Sequence, residues 1–393
     1  MAATAPTPSP FVASTRRFAP RLRSLLPAGA MSSSSATASA PNLSSGAGEE
    51  AQAPPLPHST LEIAGARRGL LSSFASLRAP YRAFPVLASN RHVETIFAAL
   101  TRSLPAVKLR RECLRAPDDG AVALDWVAGD DRALPTDAPV LILLPGLTGG
   151  SDDTYVRHML MRARSKGWRV VVFNSRGCAE SPVTTPKETD KCPLAGAVSM
   201  CNPFNLVIAD EDFHKGFNNV YDRALARALR TIFKKHALLF EDIDGEYNIP
   251  KAANARTVRD FDEGITRVSF GFKSVDDYYS NSSSSDSIKN VCIPLLCIQA
   301  DNDPIAPSRG IPREDIKANS NCLLIVTPKG GHLGWVAGDE APFGCPWTDP
   351  IVMEYLEYLQ NEKNSSTKNN YLSYEQQGVS EASAPHLTVH VQT

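Results

Sequence analysis

An aspartate and a histidine late in the chain stand where a proton relay would need them. Asp303 follows an apolar run in PLLCIQADNDPIAP, and His332 follows the next apolar run in CLLIVTPKGGHLGW. A carboxylate that fixes one tautomer of an imidazole and stabilises its cation lets the ring take a proton from a nucleophile. Far upstream, VLILLPGLTGG (Val140 to Gly150) carries an apolar strand into a glycine-rich turn. The backbone N–H of Leu147 in that turn is the candidate oxyanion donor. Together these parts serve acyl transfer through a covalent intermediate. The nucleophile, expected as Ser in G-x-S-x-G between the turn and the Asp, is absent from the sequence.

Asp301 competes with Asp303 for the carboxylate role. Asp303 is favoured because the apolar turn Pro304-Ile305-Ala306-Pro307 follows it and re-enters the fold. Ser175, Cys178 and Ser181 are the candidate substitutes for the missing Ser. Phe173-Asn174-Ser175-Arg176-Gly177 imitates an elbow, with Phe173 where the first glycine belongs. A side chain there would clash in so strained a turn, which argues against all three.

The elements that must position these groups alternate in type. Leu109 to Val127 reads as two strands around an Asp-Asp-Gly turn. Pro139–Leu144, Trp168–Phe173, Leu194–Met200, Pro294–Gln299 and Cys322–Val326 read as apolar strands. Between the first two of these, DDTYVRHMLMRARSKG has helical spacing, with Val156, Met159, Leu160 and Met161 on one side and a glycine stop. Strand, helix, strand with apolar strands gives a mostly parallel sheet covered on both faces. In such a sheet, loops at the strand carboxyl ends converge, so Asp303 and His332 can meet. Strand with glycine turn, then Asp, then His is the chain order of an α/β-hydrolase. Residues 204–285 are helical in pattern and sit where a lid would insert, and Asn281 to Ser287 reads as a flexible loop.

Hydrophobic content of 42% supports a core, and a net charge of -1 leaves no basic nucleic-acid footprint. No apolar stretch is long enough for a transmembrane helix. The eight cysteines show no zinc spacing and read as buried thiols, Cys292 and Cys297 among them. Residues 1–48 hold Arg16, Arg17, Arg21 and Arg23, no Asp or Glu, and much Ala, Ser, Thr and Pro. That composition reads as a chloroplast transit peptide, with mitochondrion or cytoplasm as alternatives. The expected division is 1–83 transit peptide and linker, 84–360 hydrolase domain, and 361–393 disordered tail.

The body resembles the plant embryogenesis-associated α/β-hydrolases and their bacterial and animal abhydrolase-domain relatives. The stretches that carry the resemblance are NRHVETI (Asn90 to Ile96), LLPGLTGGSDDTYVRHM, VVVFNSRGCAESPVTTP, CNPFNLVIADEDF, ADNDPIAP and GGHLGW. They lie across most of residues 84–360. The resemblance implies hydrolysis of lipid-type carboxylic esters such as acylglycerols or phospholipids. It carries over Asp303 and His332 as triad members and Leu147 as an oxyanion contact. The chemistry needs no metal and no organic cofactor. Peripheral membrane contact is compatible with it, and the sequence does not fix an oligomeric state.

The resemblance also implies a strand, a G-x-S-x-G elbow and a helix between VTTP and PLAGAVSMCNP. Here only Lys-Glu-Thr-Asp-Lys-Cys separates Pro186 from Pro193. A crossover helix, a central strand, the elbow and its helix need on the order of 40–50 residues. The expectation is therefore an α/β-hydrolase fold lacking its central strand and elbow helix, and an inactive chain. The Leu194 strand either closes the gap or leaves apolar surface exposed. A non-catalytic acyl-ligand-binding protein is the alternative.

Overall fold

Five strands of almost wholly apolar sequence pair in parallel and form the middle of one sheet, because a strand buried on both faces tolerates no polar alternation. They are β4 (Val140–Leu144), β5 (Arg169–Asn174), β6 (Gly196–Met200), β7 (Leu295–Ala300) and β8 (Cys322–Thr327). Three antiparallel strands flank them: β1 (Glu62–Ala64) against β8, and the hairpin β2 (Leu109–Arg115) and β3 (Ala121–Val127), with β3 against β5. The computed structural model describes residues 61–115, 121–175, 178, 194–240, 245–375 and 388–392.

The helices follow the strands in order. α1 (Arg91–Leu100) and α2 (Asp130–Ala133) precede the parallel part, and α3 (Thr154–Ser165) links β4 to β5. The insertion between β6 and β7 is helical: α4 (Leu206–Phe213), α5 (Asn218–His236), α6 (Ile249–Ala253), α7 (Val258–Phe261), α8 (Arg267–Ser269) and α9 (Val275–Ser282). α10 (Arg313–Ala318) leads to β8, and α11 (Thr348–Glu375) follows the histidine loop. α3 buries Val156, Met159, Leu160 and Ala163 and ends at Gly167, whose φ is 81°. Met161 is exposed instead, because it lies on the helix side turned away from the sheet. Against α3 and α11, the sheet presents Leu141, Leu143, Val170, Val172, Val198, Leu296 and Ile298 as one core.

The sheet order is β1-β8-β7-β6-β9-β4-β5-β3-β2, where β9 is Thr388–Gln392. β9 lies between β4 and β6 and is parallel to both, with Leu141 opposite Val389 and Val198 opposite Val391. The Leu194 segment, which starts its strand at Gly196, does not close the gap between β4 and β6. A strand from the far end of the chain occupies that place. Its physical reason is backbone pairing: an open slot leaves two rows of unpaired N–H and C=O groups. Thr388, Val389 and Val391 are β-branched and suit a strand. The segment after residue 360, expected without order, thus carries helix as far as Glu375 and this strand.

Two smaller expectations also change. Ser284–Asn290 is a 3₁₀ helix where the serine run suggested a flexible loop. Cys292 is exposed, whereas Cys297 is buried in β7. The Arg176–Pro193 connection lies outside the described residues, apart from Cys178.

Candidate active site

The loop after β7 sorts the two carboxylates. Asp301 is exposed and accepts a bond from the Ser308 hydroxyl at 2.5 Å. Asp303 is buried, and its Oδ1 accepts the N–H groups of Ile305 (2.7 Å) and Ala306 (2.8 Å). Those bonds leave Oδ2 aimed at Nδ1 of His332, 2.9 Å away. The structure therefore brings Asp303 and His332 together and turns Asp301 outward.

His332 sits in a turn of unusual backbone. Gly330 and Gly331 have φ of 147° and 56°, and Leu333 and Trp335 also have positive φ. A Cβ on Gly331 would lie 2.5 Å from Oγ1 of Thr95, and one on Gly330 would lie 2.6 Å from Nε1 of Trp335. Only glycine fits either position.

α1 clamps this turn from outside the sheet. The helix starts at Asn90, whose side chain accepts the N–H of His92 at 2.8 Å as an N-cap. One turn on, buried Glu94 accepts Gly330 N–H (3.1 Å) and Val336 N–H (2.9 Å). Thr95 accepts His332 N–H at 2.9 Å. Burial holds the Glu94 carboxyl above its usual range, opposed by those two N–H donors. The Arg102 guanidinium, just beyond α1, donates to the carbonyls of Leu333 and Gly334. Asn302 accepts Gly331 N–H at 2.9 Å. The NRHVETI stretch by itself assigns no role to Glu94 or Thr95. A Glu placed on an apolar helix face was the available signal.

Nδ1 of His332 is held, and Nε2 has no hydrogen-bond partner among the described residues. Ser175 lies exposed beyond β5, and Cys178 is buried with its thiol pKa raised by burial. Neither bonds the imidazole, and Ser181 lies outside the described residues.

A thiol does approach the pair. Cys201 follows β6 with φ of 49° and is 1% exposed. Its Sγ accepts Leu333 N–H at 3.2 Å. One ligand atom each of Cys201, Asp303 and His332 lies within 4.8 Å of the others. No hydrogen bond joins this Sγ to the imidazole. Burial, reinforced by the Asp303 charge, pushes the thiol pKa well up, so the thiolate required of a nucleophile is disfavoured. The trio offers the donor atoms of a metal site. Coordination would require that same disfavoured deprotonation and would compete with the His332–Asp303 bond.

The glycine turn after β4 is fixed by its own network. Gly146 N–H donates to the Tyr155 hydroxyl (2.9 Å), and Gly149 N–H donates to the Gly146 carbonyl (2.9 Å). Buried Asp125 on β3 accepts from Arg111 at 2.7 Å on each oxygen, and from Ser151 (2.5 Å) and Asn174 (2.9 Å). These bonds leave the Leu147 N–H without an acceptor among the described residues, and its side chain is exposed. A small apolar pocket is walled by Leu143, Val156, Met159, Met200, Leu333 and Trp335, of which Leu333 follows His332 in the chain. Asp349 stands on the pocket edge, its carboxyl pushed up to about 7 by burial.

No protein-family model matches the chain. It is 61% identical over 359 residues to Embryogenesis-associated protein EMB8 of Picea glauca, covering 78% of each chain. It is 30% identical over 315 residues to Phospholipase ABHD3 of Mus musculus, covering 68% of this chain and 75% of the relative. It is also 31% identical over 288 residues to Monoacylglycerol lipase of Saccharomyces cerevisiae, covering 60% of this chain and 63% of the relative. The Picea match runs over 359 positions but takes up 78% of 393 residues, about 307, so about 50 positions face no residue of this chain. The same reckoning for the mouse match, 315 positions against 68% of 393 or about 267, gives about 48.

Proposed function

The chain belongs to the abhydrolase-domain family that includes the Picea glauca embryogenesis-associated protein, and we propose that it is a lipid-ester hydrolase of that family in a form without its nucleophile segment. The family is one of α/β-hydrolases acting on lipid esters, with a phospholipase and a monoacylglycerol lipase among its named members. In this reading Asp303 orients His332, Nε2 of His332 is the proton acceptor, and the Leu147 N–H receives the oxyanion. The substrate is an acylglycerol or phospholipid ester. The observation that carries the proposal is an imidazole held by Asp303 through Nδ1, with nothing to deprotonate at Nε2 among the described residues. The surplus of about 50 positions in the relatives supports it, since it equals the length on the order of 40–50 residues needed by strand, elbow and helices.

Loss of a triad nucleophile lowers turnover by roughly a million-fold in a well-studied protease. This chain is therefore expected not to hydrolyse p-nitrophenyl esters above the rate of its His332→Ala variant. Turnover that vanishes in that variant would defeat the proposal. Sequencing the transcript across the codons for Pro186 to Pro193 tests the missing block itself, because an elbow found there restores the active enzyme.

A second reading, an acyl-ligand-binding protein, would seat the end of an acyl chain in the small apolar pocket beside Leu333. Saturable binding of a non-hydrolysable acyl ligand, lost when Met159 is replaced by Trp, is its test. Plastid targeting belongs to the same proposal and rests on the acid-free, Arg-bearing residues 1–48. Uptake of the labelled full chain by isolated chloroplasts, with shortening on entry, is expected; uptake by mitochondria alone would reassign it.

A further inference from the structure

The outer face of α5 carries apolar and basic side chains together in the open. Phe217, just before the helix, is 48% exposed, Val220 is 41% exposed and Leu238, just after it, is 76% exposed. Arg223, Arg227, Lys234 and Lys235 are exposed with them. Positions 217, 220, 223, 227, 234 and 238 recur at helical spacing and make one stripe about 30 Å long at 1.5 Å per residue. The acid of the helix, Asp222, is buried and accepts Val258 N–H at 2.7 Å.

Three arginines outside α5 are paired, Arg259 with Asp210 and Asp276, Arg267 with Glu263, and Arg309 with Glu211 and Asp212. Among the described residues, no carboxylate pairs with Arg223, Arg227, Lys234 or Lys235. The stripe is thus a local concentration of positive charge on a chain whose net charge is -1.

We propose that this face of α5 docks the protein on an anionic lipid surface. Basic side chains on an amphipathic helix meet anionic headgroups, and apolar ones enter the headgroup–acyl boundary. A nucleic acid would use the cations but give Phe217, Val220 and Leu238 nothing to enter. The end of the stripe that carries Phe217 and Val220 is also the end beside the site. The Phe217 ring lies 4.7 Å from that of His92 on α1, and His92 Nδ1 lies 3.2 Å from the Tyr221 hydroxyl. Exposed Val93 extends the same end. Docking therefore sets the His332 side of the molecule against the lipid. The inference rests on the lipid-ester reading only for that orientation, and its test reads binding, not turnover.

The full chain is sedimented with vesicles of equal parts phosphatidylcholine and phosphatidylglycerol, and with phosphatidylcholine alone. Binding to the anionic vesicles that falls as salt is raised is expected. At about 1 kcal/mol for each basic side chain, Arg223→Gln with Arg227→Gln should weaken it about 30-fold. Lys234→Gln with Lys235→Gln should act in the same direction. Phe217→Ser with Leu238→Ser should weaken binding while keeping its salt dependence. Equal binding to both vesicle types, or wild-type binding by both charge variants with unchanged far-UV circular dichroism, overturns the proposal. Retention on immobilised RNA without vesicle binding overturns it too and assigns the face to a polyanion.

Discussion

Replacing Glu94 by Ala tests whether α1 holds the histidine loop as its bonds indicate. The side chain is fully buried and accepts two N–H groups, from Gly330 and Val336. Its removal leaves both donors without a partner, at about 1–3 kcal/mol each. Part of that cost is offset, because the substitution also removes a carboxylate that burial disfavours. A net loss of about 3 kcal/mol is expected, which for a domain of this size lowers Tm by roughly 6 °C. Glu94→Gln keeps one acceptor oxygen and orphans one donor, so its cost is about 1–2 kcal/mol. The assay is chemical denaturation of the full chain, with thermal melting as a check. A Glu94→Ala variant within about 0.5 kcal/mol of wild type, the range of an ordinary surface change, would show that Glu94 does not hold the loop. So would equality between the two variants.

Three further outcomes follow from the same geometry. Asp303→Asn should abolish the preference for a proton on Nδ1 of His332, read from the ¹⁵N shifts of histidine-labelled protein; unchanged shifts would show that Asp303 does not set the tautomer. Asp349 has its folded pKa pushed up to about 7, so the native chain keeps a proton that the unfolded chain releases from about pH 4 upward. Its contribution to stability is therefore lost as pH rises through that window, by an amount on the order of 4 kcal/mol. Asp349→Asn should gain in Tm relative to wild type from pH 5 to pH 8, and parallel melting curves across that range would exclude this. Truncation after Glu375 removes β9 and bares the edges of β4 and β6, so the shortened chain should aggregate on mild heating; a variant as soluble and as stable as the full chain would show that β9 contributes nothing.

The elements that position the pair were legible because they are local. Apolar runs such as Leu141–Leu144 and Leu323–Val326 have one reading in a parallel sheet, and the glycines before His332 mark its turn. Asp303 could be preferred to Asp301 from Pro304 to Pro307, the segment whose N–H groups hold its Oδ1. What stayed hidden depends on contacts far apart in sequence. Glu94 and Gly330 are 236 positions apart, and nothing near either announces the other. The place of β9 is set by which backbone edges are open, a property of the assembled sheet. Cys201 reads as one more buried thiol, and only the fold puts it beside Asp303.

The measurement that bears most directly on the missing nucleophile is intact-protein mass spectrometry after treatment with a fluorophosphonate probe, which modifies a serine activated by an imidazole. The chain is expected to keep its unmodified mass, while a relative carrying the G-x-S-x-G elbow gains one adduct under the same conditions. A single adduct on this chain, absent from the His332→Ala variant, would contradict that expectation.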